Sequence, residues 1–502
     1  MCRVPVDFSR RAIYTMIQQA NAGTMANEEE KTMQNKIAHA AERAAFGLVL
    51  DGVMKYTKKE RTKGFVQVVN AIEKVLGDVW SKNAYDSMRE FFGSDSKWSR
   101  QLNKIIDTVD PHVLKTLMLN AGYEGGFRGF RDTQKNGEKL GCSIPYVVLF
   151  DPTSACNLHC TGCWAAEYGK TLNLSFEDMD SLISQAKELG THNFLLTGGE
   201  PMVRKADIVK LCEKHNDCAF MLFTNGTLID DAFCQDMKRL GNIWLSLSVE
   251  GFEKATDSRR GNGTFDRVMA AMDLLHSYGL IYGTSICYTS VNYKDVTSDE
   301  FLDLLVSKGA LFSWYFHYMP VGNDASTDLL LNPEQREYMY HRVREIRDWT
   351  GGKPIFTMDF QNDAEFVGGC IAGGKYYCHV NANGDVEPCV FIHYSSANIH
   401  NMSWADCLRQ PLFLAYQKAQ PFNKNMLRPC PMLENPGRLT QMVNETGAVS
   451  TDLLSPESSE HLCGKCVPYA TAWQPCAQHL WEESCKEKES ATKAAAPEQK
   501  AE

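Results

Sequence analysis

The chain has no apolar run approaching the roughly 20 residues that a membrane-spanning helix needs. Its first 11 residues contain no apolar signal-peptide core, so a cytoplasmic location is expected. Basic charge is also short: 52 Lys+Arg stand against 62 Asp+Glu, a net charge of −10. Nucleic-acid binding relies on neutralising phosphates with Lys and Arg, so none is expected. No internal repeat is visible. What the chain holds in quantity is cysteine, 18 in 502 residues. In an intracellular enzyme, clustered cysteines read as metal or redox ligands before disulfides. The length allows roughly two to four domains, and 44% hydrophobic with 23% charged residues is ordinary for a globular protein.

Composition divides the chain into four regions. Residues 1–140 read as a helical N-terminal domain, with turns near Gly93 and Asp110-Pro111. The apolar run Phe46-Gly47-Leu48-Val49-Leu50 reads first as part of a buried helix. Its alternative is a surface that meets lipid or the membrane periphery. Residues 141–350 alternate strands (146–150, 193–197, 220–223, 243–248, 281–288, 314–318) with helices (176–189, 208–214, 230–240, 265–278, 299–307, 333–349). Ser175 and Asp178 stand in capping-box spacing before the first helix. Repeated strand–helix units predict an α/β fold with a parallel sheet and helices outside it. Six units make a partial (β/α)6 barrel, short of the closed eight. Residues 351–485 form a cysteine-rich C-terminal domain punctuated by Gly and Pro, and 486–502 read as a disordered tail.

The most informative segment is Cys156-Asn157-Leu158-His159-Cys160-Thr161-Gly162-Cys163-Trp164, just after the first strand. Three thiolates so spaced can converge on one centre. A four-iron cluster held by three of them keeps one iron free for a substrate or cofactor. A structural zinc site or an electron-transfer cluster would ordinarily want a fourth nearby ligand, and His159 lies between two of the cysteines. The next strand ends in Thr197-Gly198-Gly199-Glu200-Pro201, where two glycines would let a ligand approach the backbone and Glu200 can accept a hydrogen bond from an ammonium group.

These two segments together resemble the radical S-adenosylmethionine superfamily over residues 145–320. The resemblance implies that Cys156, Cys160 and Cys163 hold a [4Fe-4S] cluster whose open iron binds the methionyl group of S-adenosylmethionine. It implies that Gly198, Gly199 and Glu200 hold the cofactor amine. The position before the third cysteine is often aromatic in that family; here it is Gly162, and Trp164 becomes the candidate for the adenine contact. Ser248 and Glu250 suit ribose or carboxylate groups, pointing to one side if the strand persists. Arg259 or Arg260 could pair with the cofactor carboxylate.

A second cysteine set follows. Cys370 and Cys389 bracket Gly384, with 13 and 4 intervening residues, and Cys378 lies between them. Asn383-Gly384-Asp385 reads as a tight hairpin turn that would bring flanking cysteines together. This spacing resembles the opening of SPASM and twitch domains, which carry auxiliary iron–sulfur clusters. Cys430, Cys463, Cys466, Cys476 and Cys485 are the further candidate ligands, Cys463 and Cys466 as a chelating pair. The last two gaps, 9 and 8 residues, depart from the SPASM spacing. At least one auxiliary cluster is expected; zinc is the competing reading. Cys2, Cys142, Cys212, Cys218, Cys234, Cys287 and Cys407 read as small apolar residues.

The resemblance implies an oxygen-sensitive enzyme. Reduced by a donor such as flavodoxin or ferredoxin, it would cleave S-adenosylmethionine to a 5′-deoxyadenosyl radical that abstracts hydrogen from a peptide, lipid or small metabolite. Trp314-Tyr315-Phe316-His317-Tyr318 would suit an apolar substrate, and reads more simply as core. The alternative is a non-catalytic iron–sulfur electron-transfer protein, which would need neither a free iron nor the Gly-Gly-Glu-Pro segment. The individual catalytic residues and the substrate are not legible here.

Overall fold

The structure is a computed structural model that describes residues 28–76, 82–93, 96–348 and 351–495. The signal-peptide reading of residues 1–11, Cys2, and residues 496–502 of the expected tail lie outside it. Met1–Thr108 and Val109–Glu502 are separate compact units.

The first unit is built from helices Glu28–Glu60, Thr62–Leu76, Lys82–Gly93 and Lys97–Thr108. The run at 46–50 lies on the first helix, where Leu50 is buried while Phe46, Leu48 and Val49 are exposed. The expectation of a buried run is thereby corrected. A 33-residue helix outruns partners of 12 to 15 residues, and helical periodicity turns Leu48 away from the face that buries Leu50.

In the second unit the strands are β1 (Val147–Phe150), β2 (Asn193–Leu196), β3 (Ala219–Thr224), β4 (Ile243–Ser248), β5 (Tyr282–Tyr288), β6 (Phe312–His317), β7 (Phe356–Asp359), β8 (Tyr377–Val380) and β9 (Val386–Glu387). They form one sheet ordered β7-β6-β5-β4-β3-β2-β1-β8-β9. All neighbours are parallel except β8 and β9. The sheet therefore extends beyond the six expected strands at both edges. β7 pairs with β6, and β8 joins the opposite edge beside β1. The cysteine-rich region thus contributes β7–β9 to the sheet itself.

Four of the connecting helices start on a side-chain cap. Ser175 opens helix Phe176–Glu188 with the expected capping box: its Oγ accepts from Asp178 N, and the Asp178 carboxylate accepts from Ser175 N, both at 3.0 Å. Asn332 forms the same box with Gln335 on helix Pro333–Arg347, and Ser298 Oγ accepts from Phe301 N to cap helix Asp299–Ser307. Strand alternation sends Phe150, Phe194 and Phe220 into the fully buried layer beneath the helices. Residues 486–495, expected as tail, continue helix Ser459–Ala495.

No described helix is long and apolar enough to cross a membrane.

Candidate active site

Parallel strands deliver their C-terminal ends to one edge of a sheet, where such folds place their chemistry. The cysteine loop leaves β1 at that edge. Cys156, Cys160 and Cys163 are all partly exposed there. Thr161 N donates to Arg259 O at 2.9 Å, which pins the loop to helix Glu253–Arg260. Two donors face the sulfurs: Leu158 N lies 3.4 Å from Cys156 Sγ, and Arg260 Nη1 lies 3.8 Å from Cys160 Sγ. Burial pushes the Cys156 thiol up to about 11 and raises Cys163 as well. Bare thiolates are thus disfavoured, and a bound metal centre would supply the opposing positive charge. His159 is exposed and turns to Lys170, away from the thiols.

Gly162 has φ +66°, and a Cβ there would stand 2.7 Å from Tyr318 Cε2. Tyr318, just past β6, occupies the space a side chain at 162 would take. This accounts for glycine where an aromatic residue was expected.

The Gly198–Glu200 segment is stitched to the same loop. Gly199 N donates to Thr153 O at 2.9 Å and Glu200 N to Ala155 O at 2.8 Å. A Cβ on Gly199 would lie 2.1 Å from Ala155 O and 2.5 Å from Ser154 O. The chain's own backbone therefore makes a close approach here that requires glycine. Gly198, at φ +104°, would likewise strike Thr153 O. Gly199→Ala is expected to cost about 1–3 kcal/mol, because backbone on both sides cannot yield. A lowered thermal midpoint with reduced iron retention checks this; an unchanged midpoint would contradict it.

Glu200 is buried. Its carboxylate accepts from Thr224 Oγ1 at 2.6 Å, Asn225 N at 2.8 Å and Met202 N at 3.0 Å. Burial raises its pKa and these donors oppose the rise. A carboxylate has about four acceptor positions, so one remains, on Oε2, for a ligand ammonium. Asn225 Nδ2 also donates to Asn157 Oδ1 at 2.9 Å, tying β3 to the cysteine loop.

Ser248 ends β4, half-buried on its inward face. Glu250 lies beyond the strand, fully buried. Its Oε1 receives Arg259 Nη1 at 2.6 Å, Arg260 Nε at 3.0 Å and Arg260 Nη2. Its Oε2 has no donor among the described residues. The Arg260 guanidinium is thus committed mainly to Glu250 and Cys160. Trp164 is packed against His379, His393, Tyr168 and Phe391, with ring centroids 5.6 to 6.4 Å apart. None of these neighbours comes from the Gly198–Glu200 segment or β4. The ring walls the cysteine loop against the C-terminal hairpin; the expected adenine contact has no counterpart in these neighbours.

Behind Trp164 lies a buried polar network that sequence reading missed. His379 on β8 stands 3.0 Å from Asp151 and 2.6 Å from Glu387, and Tyr168 Oη donates to Glu387. Burial opposes charge on His379, yet the two carboxylates raise it to about 10. Its stabilising contribution is full below the unfolded value of about 6.5 and is lost as pH rises through about 10. Wild type is therefore expected to lose thermal stability more steeply than His379→Asn between pH 8 and 10.5. Parallel pH profiles of the two proteins would contradict this.

In the second cysteine set, Cys370, Cys389, Cys430 and Cys463 belong to or pack against the buried cluster that holds Tyr416, and all act electrostatically on its hydroxyl. Tyr377 Oη donates to Cys389 Sγ at 2.7 Å, and Cys430 N donates to Glu434 Oε2 at 2.7 Å. Cys463 and Cys466 share a helix face, three residues apart. The hairpin forms as expected, with Gly384 at φ +85°. It does not bring Cys378 to this group. Period-two alternation puts Cys378 on the opposite face of β8 from Tyr377, fully buried and within electrostatic reach of Cys407. Cys476 donates to Glu337 at 3.4 Å on another face of its helix. Cys485, farther along that helix, is partly exposed. Among the described residues no three Cys, His, Asp or Glu side chains converge closely enough for a single ion. A four-iron cluster holds its thiolates apart at separate corners and needs no such convergence.

Residues 150–306 match the Radical SAM superfamily. An AdoMet-dependent heme synthase from Methanosarcina barkeri is 24% identical over 309 residues, 56% of this chain and 85% of that protein. The mycofactocin maturase MftC of Mycolicibacterium smegmatis is 26% identical over 269 residues, 50% of this chain and 66% of that protein. In fold, the chain is similar to Streptococcus suis SuiB bound to precursor peptide SuiA. The TM-score is 0.50 at 18% identity, covering 61% of this chain and 75% of that one.

Proposed function

From the premise that residues 150–306 form a radical SAM domain, and that the chain is an enzyme using a [4Fe-4S] cluster and S-adenosylmethionine, we propose that it abstracts hydrogen from a substrate held in the barrel. The cluster and cofactor, when bound, supply one-electron cleavage that yields the 5′-deoxyadenosyl radical. The protein's part is binding, orientation and shelter.

The residues present suit those groups. Cys156, Cys160 and Cys163 would hold three irons, with Leu158 N and Arg260 donating toward sulfur. Such donors, with nearby positive charge, raise a cluster's potential and ease its reduction. Glu200 Oε2 offers its remaining acceptor position to the methionyl ammonium, with Gly198 and Gly199 fixing that carboxylate over the loop. Ser248 and the undonated Glu250 Oε2 would accept hydrogen bonds from the hydroxyl groups of the cofactor ribose. A one-electron donor of the flavodoxin or ferredoxin kind completes the system. Cys370, Cys389 and Cys430, with one thiolate of the Cys463–Cys466 pair, would hold an auxiliary four-iron cluster.

The observation that carries this reading is the double stitch from Gly199 N and Glu200 N to residues 153–155, which fixes the carboxylate beside the cysteine loop. An electron-transfer protein has no use for it. Glu200→Gln is expected to keep the cluster and weaken cofactor binding roughly tenfold or more, since a charge-assisted bond is lost. Calorimetric titration of the anaerobic protein checks it; unchanged affinity would favour electron transfer.

A further inference from the structure

We infer that the barrel lumen accepts the hydrocarbon chain of a lipid substrate. This rests on the radical reading above and specifies what the radical would meet.

Alternation along the strands separates two environments. Residues facing the helices, among them Leu222, Leu245, Tyr315 and Thr357, have no exposure. Their inward neighbours Phe223, Trp244, Trp314, Phe316 and Met358 all keep partial exposure. A filled barrel would bury both sets. The register places Ser248, Ser285, Trp314 and Met358 side by side across four strands.

The walls of this slot differ. Above Trp244, the inward residues of β4 and β5 are small: Ser246, Ser248, Gly283, Ser285 and Cys287. Rings from the flanking strands β3 and β6 meet over these residues and continue to Phe360 as one surface. Phe316 stacks on Phe360 at 4.4 Å, Trp314 meets Phe360 at 5.5 Å, and Phe223 meets Phe316 at 6.0 Å. Trp244 extends the surface downward to Phe312 at 5.4 Å.

Charge decides among occupants. Inward positions of β3–β7 carry no Lys, Arg, His, Asp or Glu. A macrocycle bearing carboxylates would leave them unpaired there, and a peptide would leave its main-chain groups short of partners. An alkyl chain brings no polar group that needs a partner and gains from every ring it covers. Its unactivated C–H bonds are also the kind that require a radical.

The test uses the anaerobically reconstituted full chain and cis-parinaric acid, a fluorescent polyene fatty acid. Saturable binding is expected. It should weaken roughly tenfold or more in Phe316→Asp, which charges the slot, and in Ser285→Trp, which fills it. A conservative variant guards against misfolding. Dibrominated stearate should quench wild-type tryptophan fluorescence, and Trp314→Phe should lose part of that quenching. Non-saturable binding, or equal binding and quenching in all variants, would overturn the inference. 5′-Deoxyadenosine formation by the same preparation separates the two readings. Cleavage without probe binding removes only the lipid inference; probe binding without cleavage removes only the radical reading.

Discussion

Arg336→Ala is expected to destabilise the second unit by about 3–5 kcal/mol, the cost of leaving a buried charge without its partner. Arg336 and Glu434 are both fully buried, 2.6 Å apart. The guanidinium also meets Asn362 Oδ1 at 3.3 Å, Leu427 O at 3.2 Å and the Tyr469 hydroxyl, and lies 4.5 Å over the Trp473 ring. Truncation would strand the Glu434 carboxylate, whose pKa burial already raises. The carboxylate also accepts from Cys430 N, so the damage should reach the second cysteine group. Arg336→Met combined with Glu434→Gln should recover most of the loss, since no charge is then orphaned. Urea unfolding of the anaerobic protein measures both. A loss below about 1 kcal/mol in the single variant would contradict the account.

Replacing Cys370, Cys389 and Cys430 together by Ala should remove about four iron atoms per chain, one cluster's worth. The Cys156 loop lies in a separate segment held by its own contacts to Arg259 and residues 153–155, so its cluster should persist. Cys378→Ala should leave iron content unchanged, because that thiol is buried on the opposite face of β8 from Tyr377. Iron analysis with Mössbauer spectroscopy distinguishes these outcomes. Equal iron in wild type and triple variant would show that these thiols hold no cluster, and loss of iron in Cys378→Ala would overturn its placement.

Much of the core was legible because β1–β6 are apolar runs separated by amphipathic helices, a pattern that local periodicity carries. β7 and β8 were not. Each is a four-residue strand of mixed polarity, and β8 finds its partner β1 only through the folded sheet. The cysteine loop was legible from spacing. The reason for Gly162 was not, since Tyr318 arrives from β6. The same holds for Gly199, whose neighbour is carbonyl oxygen from residues 154 and 155. Cys378 looked like a ligand because spacing ignores which side of a strand a residue faces. Trp164 looked free because its four ring neighbours, except Tyr168, come from over two hundred residues later.

The most direct measurement is 5′-deoxyadenosine formation by anaerobically reconstituted wild-type protein given S-adenosylmethionine and a one-electron reductant, beside Cys156→Ala. The account predicts product from wild type and none from the variant. Equal product from both would contradict it, as would none from wild type with an intact Cys156 cluster and substrate present.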